Sequence, residues 1–248
     1  MSGHSKWSTI KRKKGATDAR RSKIFSRVSK EINIAVREGG SDPDNNSRLR
    51  LAIANARGVN MPKDNIERAI NSADKNDSDL QEVTYEGYAP NGIALFIECM
   101  TDNHNRTISN IRSIFNRRGG SLGISGSVGY MFDRKGVFTI SKGDFDSEEF
   151  ELEIIDAGAE DIEEEGDIYV ITTSLEDFGK VQKKLEEMKI TPDTAELQRV
   201  PMETKKLESG EAIKILRLIE EFEELDDIQN VYHNLEITDE LMVTLEEK

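Results

Sequence analysis

The spacing of hydrophobic residues changes near residue 80, and this restricts the chain to a fold with a helical part followed by strand-containing parts. Before the change, apolar residues recur at helical spacing in three stretches. The first stretch ends at Gly39-Gly40, and the third follows Pro62, a residue suited to the first turn of a helix. Three short amphipathic helices predict a small helical bundle, followed by the polar linker SADKNDSD.

Residues 83–133 have the alternating pattern of strands. The stretches EVTYEGYAP and GIALFIECM predict two strands, and Asn91-Gly92 between them is typical of a hairpin turn. Apolar residues at helical spacing then predict a helix that ends at Gly119-Gly120. SVGYMF is predicted as a further strand. The order strand-strand-helix-strand leaves this part without a complete core.

A second alternating pattern begins after Gly136. It runs from strand VFTIS through a helix containing Phe150 to an extended piece near Ile162 and strand DIYVITT. A helix with Ser174 and Asp177 at capping-box spacing and strand TAELQRV complete it. The order β-α-β-β-α-β is that of ferredoxin-like domains.

The tail contains one helix and one strand, NVYHNLEI, which cannot bury their apolar faces alone. We expect it to return and complete the part that precedes the second pattern. The predicted fold class is α+β with three domains, an N-terminal helical bundle followed by two ferredoxin-like α/β domains, the third inserted into the second. The predicted boundaries are residues 1–78, residues 79–135 plus 205–248, and residues 136–204.

Charge is divided unevenly along the chain. The 248 residues have a formal net charge of −14, yet residues 1–30 contain ten Lys and Arg and one acidic residue, a net of +9. Residues 31–72 carry six charges of each sign, which leaves −23 for the remainder. Such asymmetry is typical of a nucleic-acid-binding end joined to an acidic body. Because the body repels polyanions, binding should be oriented.

The candidate nucleic-acid-binding residues are the cations of this first segment and its one tryptophan, since lysine and arginine bind phosphates and release counterions. They are Lys6, Trp7, Lys11, Arg12, Lys13, Lys14, Arg20, Arg21, Lys23, Arg27 and Lys30. Trp7 has two interpretations, a ring that stacks on an exposed base or an anchor to the bundle. The alternative for the whole segment is a solvated helix face.

Other chemistry is weakly indicated. The three histidines lack the spacing of metal ligands, and no phosphate-binding or nucleophile motif occurs. We predict no catalytic residue, no metal, no cofactor and no small-molecule substrate. GGSLGISGS is predicted to be a flexible loop or strand entry, residues 161–165 a solvated acidic face, and residues 102–107 a loop that caps the next helix. The longest apolar run, residues 93–97, is strand-sized, so no membrane partner is expected.

Six motifs spread over the chain closely resemble the YebC/PmpR family. They are GHSKWSTIKRKK, GGSDPDNN, NMPKDNIERAI, EGYAPNGIALFIECMTDNHNRT, GGSLGISGSVGYMF and DIQNVYHNLEI. The resemblance implies a helical domain and two α/β domains, the third inserted in the second, and no known enzymatic activity. Its members are described as DNA-binding transcriptional regulators, and some act in translation at the ribosome. Because the shared motif starts at residue 3, no transit peptide and a cytoplasmic location are expected.

Three functions compete. The first is a regulator of gene expression that binds DNA or ribosomal RNA, with ribosomal proteins as further partners of the acidic domains. The second is an acidic protein-interaction adaptor without nucleic-acid binding, and the third is an enzyme. The basic segment favours the first over the second, and the missing catalytic residues count against the third. Cations contact either nucleic-acid backbone, so DNA and RNA both stay open.

Overall fold

The computed structural model describes residues 18–73, 80–143 and 145–246 and has the predicted α+β fold class. Contacts divide the chain into two units. The first comprises Met1–Lys23, Asp77–Asp133 and Val200–Lys248, and the second comprises Ile24–Asn76 and Arg134–Arg199. The second unit therefore joins most of the helical bundle to the inserted α/β part. The residue boundaries of the three predicted domains remain a prediction.

The helical part contains the three predicted helices. They are α1 (Asp18–Gly39), α2 (Ser47–Gly58) and α3 (Lys63–Ala73). Their apolar faces enclose one core, in which Ile32, Leu49 and Ala56 are fully buried. The buried Asn46 joins the first two helices: its Oδ1 accepts from Leu49 N at 3.0 Å, and its Nδ2 donates to Ala35 O at 2.6 Å. The motif GGSDPDNN thus forms a helix-helix turn.

The first sheet begins with the predicted hairpin. Its elements are β1 (Gln81–Ala89), β2 (Ile93–Thr101), α4 (His104–Arg118) and the short β3 (Ser121–Leu122). Asn91 and Gly92 both have positive φ, 61° and 70°, as the turn requires. The two strands pair antiparallel along their whole length. Gly119, at φ 74°, ends α4 in the left-handed conformation.

SVGYMF is not a strand, so that prediction is wrong. Gly129–Met131 forms a 3-10 turn, and the next strand begins only at Phe132. The cause is the buried carboxylate of Glu86 on β1, which accepts hydrogen bonds from the backbone nitrogens of Gly126, Val128 and Gly129, each 2.7 Å long. Because these amides bind a side chain, they cannot join a sheet, and the predicted flexible loop has an internal anchor.

The inserted part has the predicted β-α-β-β-α-β order. Its elements are β4 (Phe132–Ser141), α5 (Ser147–Asp156), β5 (Ala159–Glu165), β6 (Ile168–Thr173), α6 (Phe178–Glu187) and β7 (Thr194–Pro201). The sheet order is β5-β6-β4-β7, and β6 pairs antiparallel with both β4 and β5. This order is ferredoxin-like, with Phe138, Phe150 and Tyr169 buried between the sheet and its helices.

The tail completes the first sheet. It forms α7 (Ser209–Glu223), β8 (Ile228–His233) and α8 (Asp239–Glu246). β8 pairs antiparallel with β2, which gives the sheet order β3-β1-β2-β8. The strand ends at His233, earlier than predicted, because the side-chain oxygen of Asn234 takes the next sheet amide, that of Ala94, at 2.9 Å. The final helix, α8, was not predicted from the sequence.

Within the second unit, α2 packs directly on β7. The side chain of Asn55 makes both hydrogen bonds that a neighbouring strand would make to Ala195: its Oδ1 accepts from Ala195 N and its Nδ2 donates to Ala195 O, both at 2.9 Å. A Cβ on Gly58 would lie 1.9 Å from the backbone oxygen of Asp193, so only glycine fits there. The helical bundle and the inserted sheet therefore share a close-packed boundary. In the described ranges, no helix has the length and apolar character needed to cross a bilayer.

Candidate nucleic-acid interface

Only part of the predicted interface lies in the described residues. Lys6, Trp7, Lys11, Arg12, Lys13 and Lys14 fall outside them, and Arg20 is described only as part of the backbone of α1. The structure places the side chains of Arg21, Lys23, Arg27 and Lys30. The interpretation of Trp7 as a stacking residue or an anchor therefore stays open.

Three of the four placed cations share one face of α1. Lys23, Arg27 and Lys30 follow one another at helical spacing, whereas Val28 and Ile32 on another face pack against or lie in the bundle core. Arg21 is exposed. α1 therefore has a basic face and a separate apolar face.

These cations are held by the protein to different degrees. The ammonium of Lys23 donates to the backbone oxygen of Glu224 at 2.9 Å, within the first unit. Lys23, Arg27 and Lys30 are partly buried, and Arg21, Arg27 and Lys30 also interact within the protein. A phosphate that binds here would therefore compete with, or share, interactions that these cations already make within the protein.

Two of the three arginines of α2, Arg48 and Arg50, have structural roles. Arg48 forms ion pairs with Glu31 at 2.9 Å and with Glu38 at 2.7 Å. Arg50 donates to the backbone oxygens of Pro43 and Asp44, which fixes the turn between α1 and α2. The charges of Arg48 and Arg50 are thus committed to the bundle itself, whereas Arg57, near the end of α2, is exposed.

Residues 102–107 cap the start of α4, as predicted. The side chain of Asn103 accepts from Arg106 N at 3.0 Å. Arg106 also donates to both carboxylate oxygens of Asp227, whose side chain is only 10% exposed, and Thr107 donates to the same carboxylate at 2.8 Å. This cluster ties α4 to the loop before β8, so its polar residues have a structural role.

The other end of α4 carries a second ion-pair cluster. Arg118 donates to the carboxylate of Glu221 on α7, and Arg117 lies 3.5 Å from the same residue. The hydrogen bond from Arg118 lowers the pKa of Glu221, and the nearby positive charges add to the effect. The two helices are therefore joined electrostatically as well as by their apolar faces.

Replacing Arg118 is expected to lower the melting temperature at neutral pH but not in acid. Because the folded pKa of Glu221 is depressed, the stabilisation is present above the ordinary glutamate pKa of about 4.3 and is lost as the pH falls through the folded value. Thermal unfolding of wild type and Arg118→Gln, followed by circular dichroism from neutral pH to about pH 3, measures this. Arg117→Gln is the control with a smaller expected effect. A difference that does not change with pH would contradict the assignment.

No group of three or more His, Cys, Asp and Glu in the described ranges is arranged to hold a metal ion. His104 hydrogen-bonds to Gln81 at 2.8 Å, while His233 and Cys99 are buried in the first unit. Residues 161–165 lie on β5, at the edge of its sheet; on this strand Glu160 pairs with Lys135 of β4, and Glu164 pairs with Lys142, the residue after β4.

Two family models together match most of the chain. One, described as the TACO1/YebC protein N-terminal domain, matches residues 5–76, and the other, described as the TACO1/YebC second and third domain, matches residues 80–235. The chain belongs to the TACO1/YebC family. The resemblance drawn from the sequence motifs is therefore confirmed, and its three-domain description agrees with the observed fold class.

Relatives within the TACO1/YebC family match along nearly their whole length. A protein of Amoebophilus asiaticus is 50% identical over 95% of this chain and 98% of its own, and one of Rubrobacter xylanophilus is 49% identical over 98% of each. Both are called probable transcriptional regulatory proteins. The crystal structure of a conserved hypothetical protein from Aquifex aeolicus, 39% identical, has a TM-score of 0.83 and covers 91% of this chain and 94% of its own.

Proposed function

We propose that this TACO1/YebC family member is a non-enzymatic regulator of gene expression that binds nucleic acid through its basic N-terminal segment, residues 1–30. The observation that carries the proposal is the separation of charge: +9 in this segment against −14 for the whole chain. A polyanion is attracted to the segment and repelled by the body, which fixes the orientation of the complex. The protein would act in the cytoplasm.

RNA on the ribosome is the proposed target. The clustered Lys11, Arg12, Lys13 and Lys14 suit phosphate contact, with Trp7 as a stacking residue, rather than the base-reading helix of a docked dimeric module. The acidic domains would then face basic ribosomal proteins. A DNA-binding transcriptional regulator is the second candidate, and the names of the relatives favour it.

Replacing Lys11, Arg12, Lys13 and Lys14 with alanine is expected to weaken RNA binding and to flatten its salt dependence. If about six cations contact duplex phosphates, log K falls with log salt at a slope of roughly −5, and losing four contacts reduces the slope to roughly −2. Fluorescence anisotropy of a labelled RNA across a salt series measures both quantities.

The matched control removes four exposed lysines elsewhere, Lys180, Lys183, Lys206 and Lys214, with the same change in net charge. It should keep the wild-type slope. If the variant of the basic segment binds with wild-type affinity and slope, the N-terminal interface is wrong.

Ribosome association separates the two candidate targets. Lysate is fractionated on sucrose gradients at low and high salt, with and without ribonuclease. We expect the protein in ribosomal fractions at low salt and its release by ribonuclease. Absence from those fractions at every salt, together with binding to one DNA site at least about a thousand-fold better than random DNA, would establish the transcriptional function instead.

A further inference from the structure

Residues 103–132 contain no Asp or Glu, although the chain has 48 of them among 248 residues. The stretch carries four arginines, Arg106, Arg112, Arg117 and Arg118, and all four lie on α4. A protein with a strongly negative charge thus has a second cationic element far from its N-terminal segment in the sequence. The composition of α4 differs from that of α5, α6 and α7, each of which carries several glutamates.

The helix has one apolar face and one polar face. Ile111, Ile114 and Phe115 are buried and pack in the core of the first unit. The other face is exposed and consists of arginine, asparagine, serine and histidine. Its residues are His104, Asn105, Arg106, Ser109, Asn110, Arg112, Ser113, Asn116, Arg117 and Arg118. A helix of 15 residues presents this face over about 22 Å.

The middle of this face has no internal partners among the described residues. Arg106 at one end is bound to Asp227, and Arg118 at the other to Glu221. Between them, no carboxylate of the described chain lies within ion-pair distance of Arg112, and the side chains of Asn110 and Asn116 form no hydrogen bond within the described ranges. The ends of the helix are fixed to the fold while its centre offers unused donors and acceptors.

We propose that the exposed face of α4 is a second RNA-binding surface. The proposal rests on the proposed function, because it assigns a further contact for the same ligand class. Arginine supplies bidentate donors for phosphate oxygens. Asparagine and serine carry both donors and acceptors, which suit the 2′-hydroxyl that distinguishes RNA from DNA. The face itself carries no acidic residue, and the nearby carboxylates of Asp102, Asp227 and Glu221 are each already paired with one of its arginines, which reduces the local repulsion of a polyanion.

Two contacts on one chain make the binding multivalent. Once the N-terminal segment holds an RNA, the effective concentration of that RNA at α4 is high, so weak contacts add measurably to the affinity. Arg112 would neutralise one phosphate, and Arg117, whose side chain is 63% exposed and 3.5 Å from Glu221, would share its charge between that carboxylate and a second phosphate, while Arg118 keeps its structural bond to Glu221.

Arg112→Gln with Arg117→Gln tests the surface, since glutamine keeps helix propensity and leaves Arg118 in place. The probe is a fluorescein-labelled RNA stem-loop with single-stranded flanks, compared with DNA of the same sequence. We expect about tenfold weaker RNA binding and a salt slope shallower by about two, with a smaller loss on DNA.

A second variant tests the same face without removing a cation. Asn110→Asp with Asn116→Asp, which is isosteric and adds two negative charges, should weaken RNA binding at least as much. Lys180→Gln with Lys183→Gln on α6 is the matched control and should bind as wild type.

The outcomes are distinguishable. Wild-type RNA affinity in both α4 variants would overturn the α4 surface and leave the N-terminal interface intact. Equal losses on RNA and DNA would overturn the assignment to RNA. A wild-type protein that binds neither probe would overturn this surface and the proposed function together. Circular dichroism of each variant confirms that a loss of binding is not a loss of folding.

Discussion

Glu86→Ala is expected to lower the free energy of unfolding by about 4 kcal/mol, because it leaves three backbone N–H groups without their charged acceptor. The Glu86 carboxylate accepts hydrogen bonds from the backbone N–H groups of Gly126, Val128 and Gly129, and Glu86 is only 6% exposed. Urea unfolding gives the loss of stability. Amide hydrogen exchange at the three residues should rise well before global unfolding, since the bonds that protect them are gone.

The same strand provides the control for this prediction. Glu82 on β1 is exposed, and Glu82→Ala should change stability by no more than about 0.5 kcal/mol. Glu86→Gln, which keeps one acceptor oxygen, should fall between the two. If Glu86→Ala unfolds like Glu82→Ala, the carboxylate does not anchor the loop.

Gly58→Ala is expected to cost about 3 kcal/mol or more, because the added Cβ would lie 1.9 Å from the backbone oxygen of Asp193. Asp193 cannot easily move away, since its own N–H donates to Thr139 O at 2.8 Å. Relief requires that α2 shift from β7, which would also break the paired bonds of Asn55 with Ala195. Calorimetric or urea unfolding measures the loss.

Gly179→Ala is the matched control for Gly58→Ala. Gly179 lies on α6 in the same unit, and a Cβ there would have no neighbour within 4 Å. The substitution should leave stability unchanged or raise it by about 0.5–1 kcal/mol, as expected when glycine is replaced within a helix. If the two alanine variants are equally stable, the boundary between the bundle and the inserted sheet is looser than described.

Sequence spacing predicted the features of the fold that depend on neighbouring residues. The hairpin at Asn91-Gly92 and the end of α4 at Gly119 follow from backbone conformations that few residues adopt. The cap at Asn103 depends on a residue three positions away. The return of the tail was also predictable, because an isolated helix and strand cannot bury their apolar faces.

Features that depend on distant partners were not predictable. An acidic residue in a strand pattern does not show that Glu86 will bind amides some 40 positions later, and so SVGYMF was wrongly predicted as a strand. The pairing of Asn55 with Ala195 joins two domains that the sequence treated as separate. For the candidate site, the charge distribution in the sequence predicted the cations of residues 1–30. The polar face of α4 becomes apparent only when the structure places the apolar residues of that helix in the core.

The late arrival of β8 has a consequence for how the chain is made. Leu95 of β2 pairs with His233 of β8. The ribosome therefore synthesises β2 long before β8, the strand that pairs with one of its edges. Meanwhile β4 to β7 emerge in succession and can close their own sheet. The inserted sheet should therefore fold before the first sheet is complete, and the edge of β2 that later pairs with β8 stays exposed until the last part of translation. A nascent chain whose residues 201 and earlier have left the ribosome, but whose residues 228–233 have not, would be an intermediate with a completed insert and an unfinished first sheet.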